Sequence, residues 1–589
     1  MKWTCAFFLL LAACTSARPA PTKEGDLEAR RKQLAGLISE QWEYTLRTSP
    51  EFASILGDLR YNDRLSDVTE KAVFADLEQS REFAARFSAI DTTGFPQQEA
   101  LNKTLMLRRL ERKLEGAVFE NWLMPVTQFY GLHIQAPQLV SLLRFETVKD
   151  YDDYLARLAA LPKVFDDATA LMGKGMEKKL IPPRFLLEKV ARQAEAVAGG
   201  KVEESPFAAP LRKFGAGVPE AERKRIRAAM LEVIDQRVNR AYQKFAAFVK
   251  EEYAPNGRVD PGLWSLPLGE ERYAYFVKDN TTTDMTPGEI HQLGLREVAR
   301  IEGEMMGIAS KLGYPDLKSF NAAVEKNPDL RPKSRKEMLD LYRKYTEQMY
   351  ARLPQLFGRL PKAKVEVMPV EDFREKEAAG AEYNQGTPDG SRPGHVMVNT
   401  GDFQGRKTIS IETTAYHEGV PGHHMQISIA QEMPTLPPFR QQYFVTAYVE
   451  GWALYSERLG REVGGFQDPY SLYGHLQDEM LRAIRLVVDT GLHHERWTRQ
   501  QVVDFFHQHS NQDETDVQAE TDRYIAIPGQ ALGYKIGQLK ILELRAKAKQ
   551  ALGPAFDLRA FHDTVLGGGP LPLDVLEHEV DRWIASRKG

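Results

Sequence analysis

Cysteine is almost missing from this chain. Its 589 residues include two, Cys5 and Cys14, both ahead of residue 15. A body without cysteine has no disulfide and no thiol nucleophile, and any metal must be bound through His, Asp or Glu. An excess of one charge is also lacking. Lys and Arg total 78 against 82 Asp and Glu, a net charge of -4, and no run of five or more like charges occurs. Nucleic acid and acidic surfaces therefore have no electrostatic attraction to this chain. No apolar stretch is long enough to span a bilayer as a helix. The motifs G-x-S-x-G and S-x-x-K are absent, which leaves serine hydrolysis without a signature. What remains is a globular composition, 42% hydrophobic and 27% charged. The length exceeds one small core and predicts two lobes or one large multi-layer body.

The first residues read as an export signal. Lys2 gives a positive start, and Ala6 to Ala13 is a short apolar run. Leu11-Ala12-Ala13-Cys14 resembles the bacterial lipobox, which implies cleavage before Cys14 and lipid attachment at its thiol. A plain secretory signal cut after Ala17 is the alternative. Thr15 after the cysteine, rather than Asp, favours by the same resemblance the outer membrane, facing the periplasm or the cell surface. Residues 1–17 are thus expected to be signal and 18–25 a tether, the only link to a membrane.

Helical periodicity dominates the rest. Asp26 to Thr48 sets Leu27, Leu34, Leu37, Ile38 and Trp42 on one stripe. Residues 99–114, 151–171, 220–253 and 336–353 pattern similarly. Residues 255–285 look loop-rich, and a boundary there divides an N-terminal helical lobe, 26–270, from a C-terminal lobe, 271–589, which holds the histidine motif described next. Thr286-Pro287-Gly288-Glu289 then opens a helix with a capping box. Two strands are expected, 364–368 and 395–399, separated by turns at Asp389-Gly390 and Pro393-Gly394. The fold class is mainly α, a large two-lobed body around a deep cleft with a small sheet beside the metal helix.

The segment His417-Glu418-Gly419-Val420-Pro421-Gly422-His423-His424 carries the chemistry. Three of the chain's 13 histidines lie within it, beside a glutamate. A zincin helix reads H-E-x-x-H, which places two histidines about 6 Å apart on one face. Here the fifth position is Pro421, so the simple motif fails. If Pro421-Gly422 is an insertion that bulges the helix, His423 becomes the second ligand. Alternatively His424 serves, on the same face but about 10 Å along the axis, barely able to share an ion. The first solution is favoured.

A catalytic zinc takes three protein ligands and leaves a fourth position open. Glu450, in the apolar helix Ala447-Tyr448-Val449-Glu450-Gly451-Trp452, is the third candidate, because a buried carboxylate needs a partner. Glu457, seven residues on, is either a hydrogen-bond acceptor for a ligand histidine or solvated. With one zinc bound, its water becomes acidic enough for Glu418 to act as general base. Tyr524 and Tyr534 are candidate hydroxyl donors to the developing oxyanion. Arg523 and Lys535 are candidates for a substrate carboxylate. Arg482, Arg485, Asp489 and His493 share much of one helix face, as a buried ionic network or, less favoured, a carboxylate site.

These blocks, with Asp389-Gly390-Ser391-Arg392-Pro393-Gly394, Asn399-Thr400, Val488-Asp489-Thr490-Gly491-Leu492-His493 and Pro528-Gly529-Gln530-Ala531, resemble the bacterial family catalogued as domain of unknown function 885. The resemblance covers most of the chain after the tether. It implies a fold similar to the gluzincin peptidases, which include Taq-type carboxypeptidases and angiotensin-converting enzyme. Dipeptidyl peptidase III carries a one-residue insertion in its motif and still binds zinc. In such relatives a strand beside the zinc helix pairs with extended substrate. Residues 395–399, with Asn399 and His493 among the substrate-binding candidates, are expected to do so here. The function expected is a zinc peptidase acting on short peptides, an exopeptidase of carboxypeptidase or dipeptidase type. The alternative is a peptide-binding lipoprotein that keeps the metal without turnover.

Overall fold

The computed structural model describes residues 23–370, 375, 379–390 and 392–588. The expected signal, the lipobox at Cys14 and residues 18–22 of the expected tether lie outside the described residues, while residues 23–25, read as tether, begin the first helix. The fold is mainly helical with one small sheet. The longer helices are α1 (Lys23–Thr48), α2 (Glu70–Ser88), α3 (Gln97–Gly116), α4 (Val148–Glu177), α5 (Arg184–Ala198), α6 (Gly269–Thr281), α7 (Pro287–Lys311) and α8 (Arg335–Tyr350). Beyond the sheet come α9 (Ile411–Glu418), α10 (His423–Gln431), α11 (Thr446–Glu462), α12 (Pro469–His493), α13 (Glu514–Ala526) and α14 (Leu532–Leu552). Residues 220–253 stay helical throughout, interrupted by two π-turns.

The helix starts follow local chemistry. At the head of α7, Thr286 Oγ1 accepts from the Glu289 amide while the Glu289 carboxylate accepts from the Thr286 amide, as the capping box predicts. Helix α6 departs from expectation, since it lies within the stretch read as loop. It begins and ends on left-handed residues, Leu268 and Thr282, and has no side-chain cap. Its signal was the four-residue spacing of Tyr273, Val277 and Thr281, all of them buried.

Strands β1 (Val365–Pro369), β2 (Ala381–Asn384) and β3 (Gly394–Val398) form the sheet in the order β1-β3-β2. β1 pairs with β3 in parallel, Val367 against Val396, and β2 pairs with it antiparallel, Tyr383 against Val396. β2 was not foreseen: Ala-Glu-Tyr-Asn is short and has no apolar alternation. Val396 and Val398 are buried with Val367 against Met338 and Tyr342 of α8 and Ile411 and Ala415 of α9. The sheet thus backs the helix that carries His417. One expectation is corrected. β3 is the central strand, its hydrogen-bonding edges already taken by β1 and β2, so no peptide can add to residues 395–399.

The cores do not divide at residue 270. Leu34, Phe83, Leu105 and Leu110 from α1–α3 share one core with Trp452, Ile541 and Leu576. Residues between Val126 and Ala254 build a separate core. A third joins α7 to α12 through Val298, Ile301, Ile484 and Val487. No helix of the described residues is long and apolar enough to cross a membrane.

Helices α11 and α14 meet at backbone contact. A Cβ on Gly451 would lie 2.4 Å from the Gly537 Cα, and one on Gly537 would lie 1.8 Å from the Ala447 carbonyl oxygen. Backbone meets backbone there, and neither helix can yield without moving. Gly537→Ala is expected to cost about 3 kcal/mol, read as a fall in the thermal unfolding midpoint by circular dichroism. An unchanged midpoint would contradict this contact.

Candidate metal centre

The motif folds as two helices rather than one bulged helix. α9 stops at Glu418 and α10 starts at His423. Between them the Val420–Pro421 peptide is cis, and the Gly422 amide donates back to the Tyr416 carbonyl at 2.9 Å. A Cβ on Gly422 would lie 2.0 Å from the His417 carbonyl oxygen and 2.4 Å from that of Tyr416. Glycine is the residue this closeness admits. Trp452 Nε1 donates to the Pro421 carbonyl at 2.8 Å and ties the turn to α11.

The turn brings His423 beside His417, their ring centroids 4.8 Å apart at 87°. His417, His423 and Glu450 present ligand atoms within 4.8 Å of one another. Glu450 Oε2 lies 3.7 Å from His417 Nε2 and 3.4 Å from His423 Nε2. A tetrahedral zinc site with bonds of about 2.05 Å has donor-to-donor edges of about 3.3 Å, so the two edges from Glu450 are close to those of a site around one ion. Glu450 Oε2 is also buried without a hydrogen-bond partner among the described residues, an orphan that a cation would satisfy. His424 points elsewhere. It is buried, with Nδ1 3.1 Å from the Tyr383 hydroxyl and Nε2 3.1 Å from the Ala363 carbonyl. Of the two solutions considered for the motif, His423 is the one the geometry favours.

Glu457 is buried rather than solvated. Its Oε1 lies 2.7 Å from His417 Nδ1, and its Oε2 accepts from Thr413 Oγ1 at 2.8 Å with His475 Nδ1 at 3.5 Å. A carboxylate on Nδ1 leaves Nε2 as the free donor toward the metal position. Burial pushes His417 down, but Glu450 and Glu457 outweigh it and raise its pKa to about 10. Burial pushes Glu450 up, yet His423 and His417 hold it well below the usual carboxylate range. The proton on His417 stands where a metal cation would supply the positive charge. Glu418 next in sequence is raised by burial, opposed by the charges of His417 and His423. Thr413 and His475 went unnoticed in the sequence because their contacts with Glu457 and with each other span 18 to 62 residues.

The remaining candidates separate. The Tyr534 ring stacks on His417, centroids 6.4 Å apart and 13° from parallel. Its hydroxyl accepts from Arg523 Nη2 at 3.2 Å, and Arg485 lies 4.6 Å over its ring. The Tyr524 hydroxyl is committed, donating to the Glu520 carboxylate and accepting from Arg485 Nε at 3.2 Å; as an oxyanion donor it is corrected. Arg523 also holds Glu520 at 3.2 Å and Gln530 at 2.9 Å and sits 5.7 Å over the Phe129 ring. It orients Tyr534 rather than offering an open fork. Gln128 donates to the Asp522 carbonyl at 3.1 Å, which ties the loop bearing Phe129 to the same wall.

Three substrate-binding expectations are corrected by burial. Lys535 Nζ is fully enclosed, 2.7 Å from Glu479, 3.0 Å from Glu297 and 2.8 Å from Gln538. Asn399 is buried, donating to the Glu375 carbonyl at 2.8 Å and accepting from the Gly401 amide at 3.0 Å, which fixes the turn after β3. His493 Nδ1 accepts from the Leu263 amide at 3.0 Å and Nε2 donates to the Tyr524 carbonyl at 3.1 Å. Asp489 accepts from the Tyr273 hydroxyl at 2.7 Å and the Gly529 amide at 3.0 Å.

Two outcomes follow. His423→Ala is expected to abolish stoichiometric metal binding and His424→Ala to preserve it, while Glu457→Gln weakens affinity about tenfold to a hundredfold. Metal analysis with chelator competition measures all three, and retention by His423→Ala would sink the assignment. Asp489 is raised by burial from 3.8 to about 7. The folded state keeps a proton there that the unfolded state releases, so stability falls as pH rises from about 4 to about 7 and then levels. Asp489→Asn should remove that fall from the unfolding midpoint.

The family model described as bacterial protein of unknown function (DUF885) matches residues 50–580. No curated protein gives a significant match. A solved structure from Colwellia psychrerythraea, described as a candidate lipoprotein, is 30% identical with a TM-score of 0.91, covering 95% of this chain and 100% of its own. A candidate lipoprotein of unknown function from Shewanella oneidensis is 18% identical with a TM-score of 0.72, covering 92% and 99%. That second likeness speaks to fold alone.

Proposed function

The chain belongs to the bacterial DUF885 family, and we propose that it is a metal-dependent peptidase of short peptides whose ion is held by His417, His423 and Glu450. The observation that carries this reading is the triad of two imidazole nitrogens and one orphaned carboxylate oxygen within 4.8 Å of one another, the carboxylate 3.4 and 3.7 Å from the two nitrogens, with Glu418 next in sequence to a ligand. Bound there, a zinc ion supplies Lewis acidity and a nucleophilic water at neutral pH.

The chain's own residues supply the rest. Glu418 takes a proton from the attacking water and returns it to the leaving amine. Its partial burial suits a proton carrier, since the carboxylate gains basicity as it loses water. Tyr534, its hydroxyl oxygen held by Arg523, has its own O–H free to donate to the oxyanion that forms at the scissile carbonyl. Glu457 fixes the ring of His417. The side chains of His417, His423 and Glu450 are only 4%, 12% and 12% exposed. A folded protein surface cannot reach so enclosed a group, which favours short, extended peptides. An exopeptidase action, of carboxypeptidase or dipeptidase type, is part of the proposal. So is a lipid anchor at Cys14 that holds the enzyme to the outer membrane, in keeping with the lipoprotein description of the Colwellia relative.

The test is hydrolysis of a peptide library read by mass spectrometry, with the protein's metal content measured alongside. Glu418→Gln is expected to keep the metal and lower turnover by about 100-fold or more. Tyr534→Phe should lower kcat by about tenfold to a hundredfold with little change in KM. Metal bound at full occupancy with no peptide cleaved by the unaltered protein would refute the enzyme and leave a peptide-binding lipoprotein.

A further inference from the structure

A cavity of about 1690 Å³ lies outside the metal group; His417, His423 and Glu450 do not line it. Helix α3 forms one wall, and the segment 442–446 leading into α11 forms another with α14. Apolar surface comes from Leu107, Phe444, Ile536 and Leu539. Phe444 is 63% exposed, although large aromatic side chains are ordinarily covered.

Cations also line this cavity, and their pairing is uneven. Arg108, Arg112, Lys113, Lys278 and Lys540 each hold an acidic partner. Arg109 has neither an ion pair nor a hydrogen bond among the described residues, yet burial lowers its pKa from the usual guanidinium value. The Tyr443 phenol lies close enough to feel the charges of Arg108 and Arg109. Burial raises its pKa, so it keeps its proton, and its hydroxyl has no partner among the described residues. A desolvated guanidinium without a counter-ion is costly, and a bound anion would offset that cost. Acidic residues line the cavity as well, Glu111, Glu115, Asp279, Asp284, Glu543, Asp574 and Glu577, so the attraction for an anion is local to Arg109, and a single guanidinium among carboxylates suits a monoanion rather than phosphate. The planar fork of an arginine beside a hydroxyl donor matches a carboxylate. The apolar walls call for a hydrophobic body behind it.

We propose that this cavity binds an organic carboxylate with an apolar body, with Arg109 and Tyr443 donating to the carboxylate. Two sources share that chemistry, the C-terminus of a peptide and a free hydrophobic acid. The cavity reaches Thr446, and Glu450 follows one helical turn later on α11. A peptide carboxylate held here would therefore belong to a molecule lying beside the metal group.

The test is calorimetric titration of the full chain carrying Glu418→Gln, so that binding is read without turnover. The probes are acetyl-Leu-Phe, its C-terminal amide, and octanoate. The acetyl dipeptide acid is expected to bind and its amide to bind at least about tenfold more weakly. Arg109→Gln should raise Kd for the acid about tenfold to a hundredfold. Arg225→Gln, which removes a paired arginine outside the cavity, should leave it unchanged. Tight octanoate binding identifies a free acid as the source, and selective binding of the dipeptide acid identifies a peptide C-terminus. Equal affinity for acid and amide, or an unchanged Kd in a folded Arg109→Gln, overturns the proposal. Should Arg109→Gln fail to fold, Tyr443→Phe carries the same test, and an unchanged Kd there overturns it equally. Because binding is read apart from hydrolysis, failure here leaves the peptidase reading standing, and failure of hydrolysis leaves this site standing.

Discussion

Between Glu418 and His423 the backbone folds onto itself, and the contact of Gly422 with the carbonyls of Tyr416 and His417 decides where both histidines point. An unbroken helix would carry its next facing side chain at position 421, where the chain has proline. Ending one helix and beginning another replaces helical periodicity with a local fold-back, and the Gly422 amide closes it. The other parts of the site are built around that turn. Trp452 anchors it from α11, and Glu450 on the same helix faces both imidazoles. Gly451 lets α14 approach α11 to backbone contact, and α14 carries Tyr534 under His417.

Around this centre the interior holds more charge than a core usually carries, and several of its buried charges have specific partners. Glu457 has His417, Thr413 and His475. Lys535 and Arg300 share Glu479 and Glu297. Networks of this kind add little to stability relative to apolar packing, because desolvation consumes most of the Coulombic gain. What they fix is position. Glu479 is held well below the carboxylate range, against burial, by Lys535, Arg458 and Arg300. The helices α7, α11, α12 and α14 thereby meet in one register.

The parts legible in the sequence were those written in local order. Apolar periodicity marked the long helices, the Thr286 capping box marked the start of α7, and alternating valines marked β1 and β3. His417, Glu418 and Glu450 stood out because histidine and buried carboxylate are rare in such settings. Other features depend on chain segments far apart. Whether Tyr524 or Tyr534 has a free hydroxyl depends on Glu520 and Arg485, and whether Lys535 meets solvent depends on Glu297 and Glu479. That β3 is central depends on β2, four residues with no periodic signal. Residue type alone cannot distinguish a lysine facing a ligand from one enclosed by two glutamates.

The separate core between Val126 and Ala254 meets the elements around Tyr534 through Gln128 on Asp522, Lys189 on the same residue, and Phe129 under Arg523, while Phe185 and Leu186 of α5 pack into the core that joins α7 to α12. Arg523 holds the Tyr534 hydroxyl, so the orientation of that hydroxyl depends on a unit that supplies no metal ligand. The ligands themselves belong to elements backed by the other cores. On gradual heating, loss of the Val126–Ala254 packing would release Arg523 and then Tyr534 while the two histidines and Glu450 still stood in place. On the proposed reading, inactivation and metal release would be separate events, with a range of temperatures in which the protein is loaded and idle.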